Sequence, residues 1–304
     1  MSTYTYPVAH PEGKLSKEQI HAILRNPRVI AKRIADLTKM GFISDYLLQS
    51  RLDATGGGIF YETGEEIFAA DAPEAIAPGG EYPTTSMTEG EIAAAKTVKW
   101  GIEDEITDEK IARQGASVMN RGLARLGNTV VRHVDRVSMA VIGSKVTTTF
   151  AVPTFTTAGK LVEGLTAARS SRARDGLGVD LSTVVLKPEQ YAKVIGMLVD
   201  DKALPREEGN ILVTGQIPVN ALGFTWAVAP HYEGANPLLV DREQLGGMAD
   251  EDLGSPEFVK AGSFGVEGSS ERGRRDNYEI RARRVTVPVV LEPLAGVQLT
   301  GTSL

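Results

Sequence analysis

The sequence has no cysteine among its 304 residues, which excludes disulfides and thiolate metal sites. Histidine is scarce: only His10, His21, His133 and His231 occur, and no two of them have the spacing of a metal-binding pair. No apolar run approaches the roughly 20 residues needed to span a bilayer. The opening MSTYTYPVAHPEGK lacks the apolar stretch of a signal peptide. Excess positive charge is also missing, and a net charge of -6 disfavours general nucleic-acid binding. What remains is an ordinary folded composition, 42% hydrophobic and 24% charged, long enough for one large domain or two interlocked ones. These features do not by themselves separate an enzyme from a structural subunit.

Local catalytic motifs are missing too. Gly56-Gly57-Gly58 is not followed by the Gly-Lys-Ser/Thr of a phosphate loop, so it reads as a flexible strand entrance. Asp250, Glu251 and Asp252 before Gly254 fail the ligand spacing of a calcium loop. Ser263 lacks the spacing of a nucleophile elbow. His133, beside Val134, reads as a helix flank rather than a ligand. No catalytic, metal or cofactor-binding residue is therefore nominated, and no cofactor is expected.

The chain's organisation is more telling. Residues 1–14 read as a polar arm. Ser16 can cap a helix carrying Ile20, Ile23 and Leu24, and Pro27 can open a second with Ile30, Ile34 and Leu37. In 53–105, a strand-like Ile59-Phe60-Tyr61 and an alternating Val98, Trp100, Ile102 bracket a loop of small residues, glycine and proline. The pattern suggests a long two-stranded arm, which needs something to lie on because an isolated hairpin is marginal in water. Met119, Leu123, Leu126, Val130, Val134, Val137 and Val141 then form one apolar stripe at spacings of three and four. That stripe predicts a single helix from a Thr107 cap to Gly143, about 35 residues and roughly 50 Å long. A short helix is expected around Leu161, Val162 and Leu165, followed by a charged loop over 170–178. A mixed helix-and-strand region over about 180–275 includes a strand at Thr183–Leu186, a helix from Pro188, and strands at 211–213, 224–228 and 238–240. In the last part, Tyr278, Ile280 and Ala282 alternate in one phase and Val285, Val287, Val289 and Leu291 in the other. A bulge near Arg283-Arg284 would explain the switch.

Charge is partitioned along the chain. Residues 53–109 hold fourteen acids against Lys96 and Lys99, whereas 110–145 hold seven bases against Asp135 alone. Contact between an acidic arm and a basic helix of another copy would place Glu62, Glu65 and Glu66 opposite Arg113, Arg121, Arg125, Arg132 or Arg136. Arginine suits this role because its planar fork pairs bidentately with carboxylates.

Five segments in this order resemble the major capsid proteins of tailed bacteriophages, with their Hong Kong 97-type α+β fold. Lys99-Trp100-Gly101-Ile102-Glu103 through Glu109 resembles the passage from the extended loop into the spine helix. Val184-Val185-Leu186-Lys187-Pro188 is similar to the strand-to-helix step of the axial domain, and Thr214-Gly215-Gln216-Ile217 through Phe224 to its later turn and strand. Leu238-Leu239-Val240-Asp241 fits the next strand, and Tyr278-Glu279-Ile280-Arg281 through Val290 the closing one. The resemblance implies an N-terminal arm and helices over 1–52, an extended loop over 53–105, and a peripheral domain with the spine helix over 106–179. It further implies an axial domain over 180–275 and a returning strand over 276–304.

By the same resemblance, the chain is no enzyme. It would self-assemble as hexamers and pentamers into an icosahedral head shell around packaged double-stranded DNA, without sequence-specific binding. A separate scaffold protein, a portal and a decoration or cement protein are implied partners. The location is the virion, after assembly in the host cytoplasm, with no membrane. Some members of the family join an extended-loop lysine to a neighbour's asparagine by an isopeptide bond. This chain has no lysine from Leu52 to Ala95, so no such cross-link is expected. The alternatives are an encapsulin-like nanocompartment shell and, from another class, a soluble α+β enzyme with a lid hairpin.

Overall fold

A computed structural model of the chain describes residues 15–37, 41–63, 75–76, 90–175, 178–201, 217, 221–260 and 265–304. The elements begin with α1 (Lys17–Leu24), α2 (Pro27–Leu37) and α3 (Ile43–Leu47). Strands β1 (Ser50–Asp53), β2 (Gly58–Thr63), β3 (Glu91–Lys96) and β4 (Val98–Thr107) follow, then α4 (Asp108–Gln114) and α5 (Ala116–Lys145). Next come β5 (Thr149–Ala151), α6 (Ala158–Arg174), β6 (Thr183–Leu186), α7 (Pro188–Asp200), β7 (Thr225–Val228) and β8 (Leu238–Val240). The chain closes with β9 (Gly246–Asp250), β10 (Val259–Lys260), β11 (Glu267–Arg272), β12 (Asn277–Val290) and β13 (Gly296–Thr300).

The fold divides into two compact units. Unit 1 comprises Met1–Phe42, Thr97–Val134 and Asp250–Thr286; unit 2 comprises Ile43–Lys96, Asp135–Ala249 and Val287–Leu304. The chain crosses from one to the other five times: after Phe42, after Lys96, and inside α5, β9 and β12.

In unit 1, Ser16 and Gln19 form a reciprocal capping box that starts α1. Ile20 and Leu24 of α1 are fully buried, as are Ile30 and Ile34 of α2. Helix α2 lies on β11, closely enough that the backbone of Ala31 is against Gly268. Strand β12 pairs antiparallel with β4 from Asn277↔Thr107 to Thr286↔Val98, and also with β11, which pairs with β10. In unit 2, the core is a five-stranded sheet in the order β5-β13-β8-β6-β7. Every residue of β6 and β8 is buried there, and Pro188 sits in the first turn of α7, as its fixed φ favours. The hairpin β2-β3 belongs to this unit.

Several sequence expectations are corrected. The long helix is not continuous from Thr107. Gly115, at φ 64°, ends α4 in the left-handed region where glycine is favoured, and α5 starts afresh for 30 residues, about 45 Å. The arm's return strand is β3, whose EIAAAK sequence carries no strong alternation, rather than the Val98–Ile102 run. That run is β4, and it pairs with the closing strand. Helix α6 runs to Arg174 and so takes up half of the expected loop at 170–178. There is no bulge near Arg283-Arg284: the ladder to β4 continues in register through Arg283↔Gly101 and Arg284↔Trp100. The apolar phase switches instead because Arg284 occupies an inner position at 0% exposure, and its face continues with Thr286. The expected strand at 211–213 lies outside the described residues.

The apolar stripe on α5 is also revised. Met119, Leu123, Leu126, Val130 and Val134 are buried, but Val137 and Val141 are only half-buried. Beyond Val134 the buried positions are Asp135, Ser138, Met139 and Ile142. Counting about 100° per residue, the buried face turns by roughly a third of a turn at Val134. The turn coincides with the passage from unit 1 to unit 2. A helix packed in two different surroundings does not keep one face inward, so Val137 and Val141, which continue the first face, are displaced to the margin.

Candidate assembly interface

In unit 1, α5 packs against β4: a Cβ on Gly122 would meet Asp104 at 3.1 Å and Ile106 at 3.4 Å. The exposed ring of His133 lies 4.5 Å from that of Trp100, centroid to centroid, which fits a flank residue. The opposite side of the helix carries Arg121, Arg125 and Arg132, all exposed, within about 40° of one another and over roughly 16 Å. Arg121 donates to the Gln114 side chain at 2.9 Å and to the Ser117 carbonyl. Arg113 on α4 is exposed as well. In unit 2, Arg136 is paired with Glu233 at 2.9 Å. Arg113, Arg125 and Arg132 make no ion pair among the described residues. Among the described residues, Arg136 is thus the one candidate arginine in an ion pair; Arg121 has only its hydrogen bonds, and Arg113, Arg125 and Arg132 have no ion pair.

Of the candidate acids, Glu62 alone lies among the described residues. Glu62 is exposed on β2, directly opposite Ile92, and Glu65 and Glu66 lie outside the described residues. The base of the hairpin is not unsupported. Ile59, Tyr61 and Ala95 pack on the buried cluster of Ala54, Ala249 and Val289 within unit 2. The other face displays Phe60 at 81% exposure and Ile92 at 70%. Sequence reasoning noted the strand but not this outward pair, because alternation tells which residues share a face and not which face is covered.

Unit 1 contains a dense ion-pair lattice that the sequence did not reveal. Arg281 meets Glu103 on β4 at 2.5 Å, Glu271 on β11 at 3.4 Å and Glu279 at 2.9 Å. These carboxylates raise the Arg281 guanidinium further above its already high value, Glu103 first. Arg283 pairs with Glu267 at 2.7 Å, both almost fully buried, and stacks on the Phe258 ring at 3.6 Å. Arg284 binds Asp250 through two nitrogens at 3.1 Å and stacks on Phe42 at 4.4 Å. Arg272 grips Asp108 through two contacts of 2.6 Å, and this hydrogen bonding holds the Asp108 carboxyl below its usual value. The Asp250, Glu251, Asp252 run separates: Asp250 meets Arg284, Glu251 accepts from Thr97, and Asp252 pairs with Lys260.

In unit 2, Asp135 is 2% exposed and accepts from the backbone N–H groups of Ile43 and Ser44 and from the Ser44 hydroxyl at 2.8 Å. It therefore anchors the start of α3 from α5, while burial raises its pKa. All these groups hold structure; none is placed as a nucleophile with a base.

The comparisons agree with this architecture. A profile of the phage capsid protein family matches residues 90–299, more than two thirds of the chain. The chain belongs to that family. Among solved structures, it is similar to the capsid of cyanophage P-SCSP1u at 13% identity, covering 86% of this chain and 88% of that one, with a TM-score of 0.59. A phage-related protein from Bordetella bronchiseptica RB50 is similar at 14% identity, over 91% and 97% of the two chains, with a TM-score of 0.56. A chain of Mycobacterium phage Bobi is similar at 12% identity, over 86% and 91%, with a TM-score of 0.54. No curated protein is similar to the chain in sequence. The fold is the α+β, Hong Kong 97-type capsid fold. The protein is a structural, non-enzymatic subunit of a tailed-phage head shell, and it assembles with copies of itself.

Proposed function

We propose that copies of this chain form the hexamers and pentamers of an icosahedral head around double-stranded DNA, each reaching a neighbour with the acidic arm that begins at β2-β3. In this reading β2-β3 is the base of the extended loop over 53–105, α5 is the spine helix of a peripheral domain over 106–179, β6, α7, β7 and β8 lie in the axial domain over 180–275, and β12 and β13 make the return over 276–304. Shell growth is directed by a separate scaffold protein in the host cytoplasm, and a portal and a cement protein complete the head. DNA is enclosed without sequence-specific contacts, in keeping with a net charge of -6.

The observation that carries the reading is the uncompensated charge: Arg113, Arg125 and Arg132 are exposed without an ion pair among the described residues, while the arm is strongly acidic in sequence. Each exposed pair is worth at most about 1 kcal/mol, but it recurs in every copy of the shell. Deleting residues 65–90 should leave a soluble subunit that cannot close shells, visible by negative-stain microscopy. Normal shells from the deletion would refute the proposal, and particles without nucleic acid in an infected host would refute its DNA content.

A further inference from the structure

Phe60 and Ile92 are more exposed than any other large hydrophobic among the described residues, the next being Leu222 and Leu253 at 45%. They lie on one face of the β2-β3 hairpin, around Ala94, with Phe60 opposite Ala94 and Glu62 opposite Ile92. The reverse face is already covered by the unit 2 cluster. An aromatic-aliphatic patch held rigidly outward from a docked hairpin costs solubility and marks a contact surface.

Unit 1 has a concavity to match it. At Gly101 the β4-β12 ladder has no side chain opposite Arg283, whose Cβ would be 3.2 Å from any Cβ placed there. The gap lies in a shallow cavity, wide open to solvent, of about 430 Å³ and lined by Lys99, Gly101, Glu103, Phe258, Arg281 and Arg283, among others. Its polar walls are largely neutralised in place, since Arg281 holds Glu103 and Arg283 holds Glu267 while stacking on Phe258. A floor of guanidinium planes, an aromatic ring and a bare glycine suits another aromatic ring. Lys99 stands exposed at the rim; on the hairpin the charged residues that share the face of Phe60 and Ile92 are Glu62 and Lys96, so Glu62 is the one placed to meet Lys99.

We infer that in the shell Phe60 of one copy, supported by Ile92, inserts into the Gly101–Phe258 cavity of the next copy. The occupant is a second copy because the shell is built from copies of this chain. A ring of identical subunits related head to tail needs two different, complementary patches on each, and this knob and this cavity are such a pair. The inference rests on the reading that the arm reaches a neighbour, and it names where the arm's base docks.

The chain has no cysteine, so introduced thiols report without background. Chains carrying Phe60→Cys and chains carrying Lys99→Cys, co-assembled with an excess of wild type, should be joined by a short bismaleimide in intact shells. Phe60→Cys chains alone should stay single. Bridging of Phe60→Cys to itself, or absence of any bridge to Lys99→Cys, overturns the inference. A bridge from Phe60→Cys to Arg125→Cys without one to Lys99→Cys overturns it while leaving the arm-to-neighbour reading intact. As an independent measure, Phe60→Asp should abolish shells without lowering the subunit's melting temperature, and Phe60→Tyr should retain them. Normal shells from Phe60→Asp overturn the inference as well.

Discussion

On one face of the sheet of unit 1, cross-strand neighbours are charged. Glu267 stands directly opposite Arg283, and Arg281 directly opposite Glu103. In the five-stranded sheet of unit 2, the corresponding positions are Val184, Val185, Leu186, Leu238, Leu239 and Val240, all at most 1% exposed. The same pleat is thus held by two chemistries. A wholly apolar sheet gains from area removed from water, which is strong but indifferent to which residue meets which. Paired charges gain less net free energy but penalise any slip, since a shift of one residue puts each side chain on the wrong face. The charged sheet contains β4 and the cavity proposed to receive a neighbour. Register matters most there, because every copy must present an identical surface.

This comparison can be broken at its strongest point first. Arg284→Ala removes a fully buried guanidinium from between Asp250, itself about a third exposed, and the Phe42 ring, and should cost about 3 kcal/mol in denaturant unfolding of unassembled subunits. The near-isosteric Arg284→Met in combination with Asp250→Ala should recover most of that loss. If Arg284→Ala alone is silent, the pair does not hold the sheet. In the apolar sheet, Leu239→Ala should cost about 2–5 kcal/mol, with no dependence on salt. Leu126→Ala on α5 should cost about the same. Val137→Ala, on the displaced part of the stripe, should cost no more than about 1 kcal/mol. Equal losses at Leu126 and Val137 would show that the buried face does not turn.

Asp108→Asn tests the exposed rim of the charged sheet. Its carboxyl is held below the ordinary value of 3.8 by Arg272, and it is about a third exposed. The folded pKa is lowered, so this stability is complete above the unfolded value and is lost as pH falls through the folded one. The substitution should therefore cost no more than about 1 kcal/mol at neutral pH, and the difference from wild type should vanish in acid below both values. A difference that persists there would show that the pair acts through packing. The smallest expected effect is none at all: boiling particles in detergent should release single chains near 32.6 kDa. The hairpin's one described lysine, Lys96, lies at its base opposite Gly58. A surviving ladder of covalent oligomers would refute this.

Periodicity and punctuation alone determined much of this protein. Ser16 and Pro27 set the first helices, the stripe from Met119 to Val134 set α5, and Val184-Val185-Leu186 before Pro188 set the β6-to-α7 step, because capping, helix period and proline geometry act within a few residues. The uneven charge between 53–109 and 110–145 was also open to view. The folded structure decided the rest. It broke the helix at Gly115, where only a left-handed backbone ends α4. It turned the buried face of α5 at Val134, where the packing environment changes. It drew β3 from an alanine run that has no strand signal of its own, by pairing it with β2. It buried Arg284 because Asp250 and Phe42, distant in the chain, satisfy its charge and its planar face. The last three depend on partners remote in sequence, and a pattern read along one chain contains no such partner; the break at Gly115 is local, set by its positive φ and its bond to the Ile111 carbonyl.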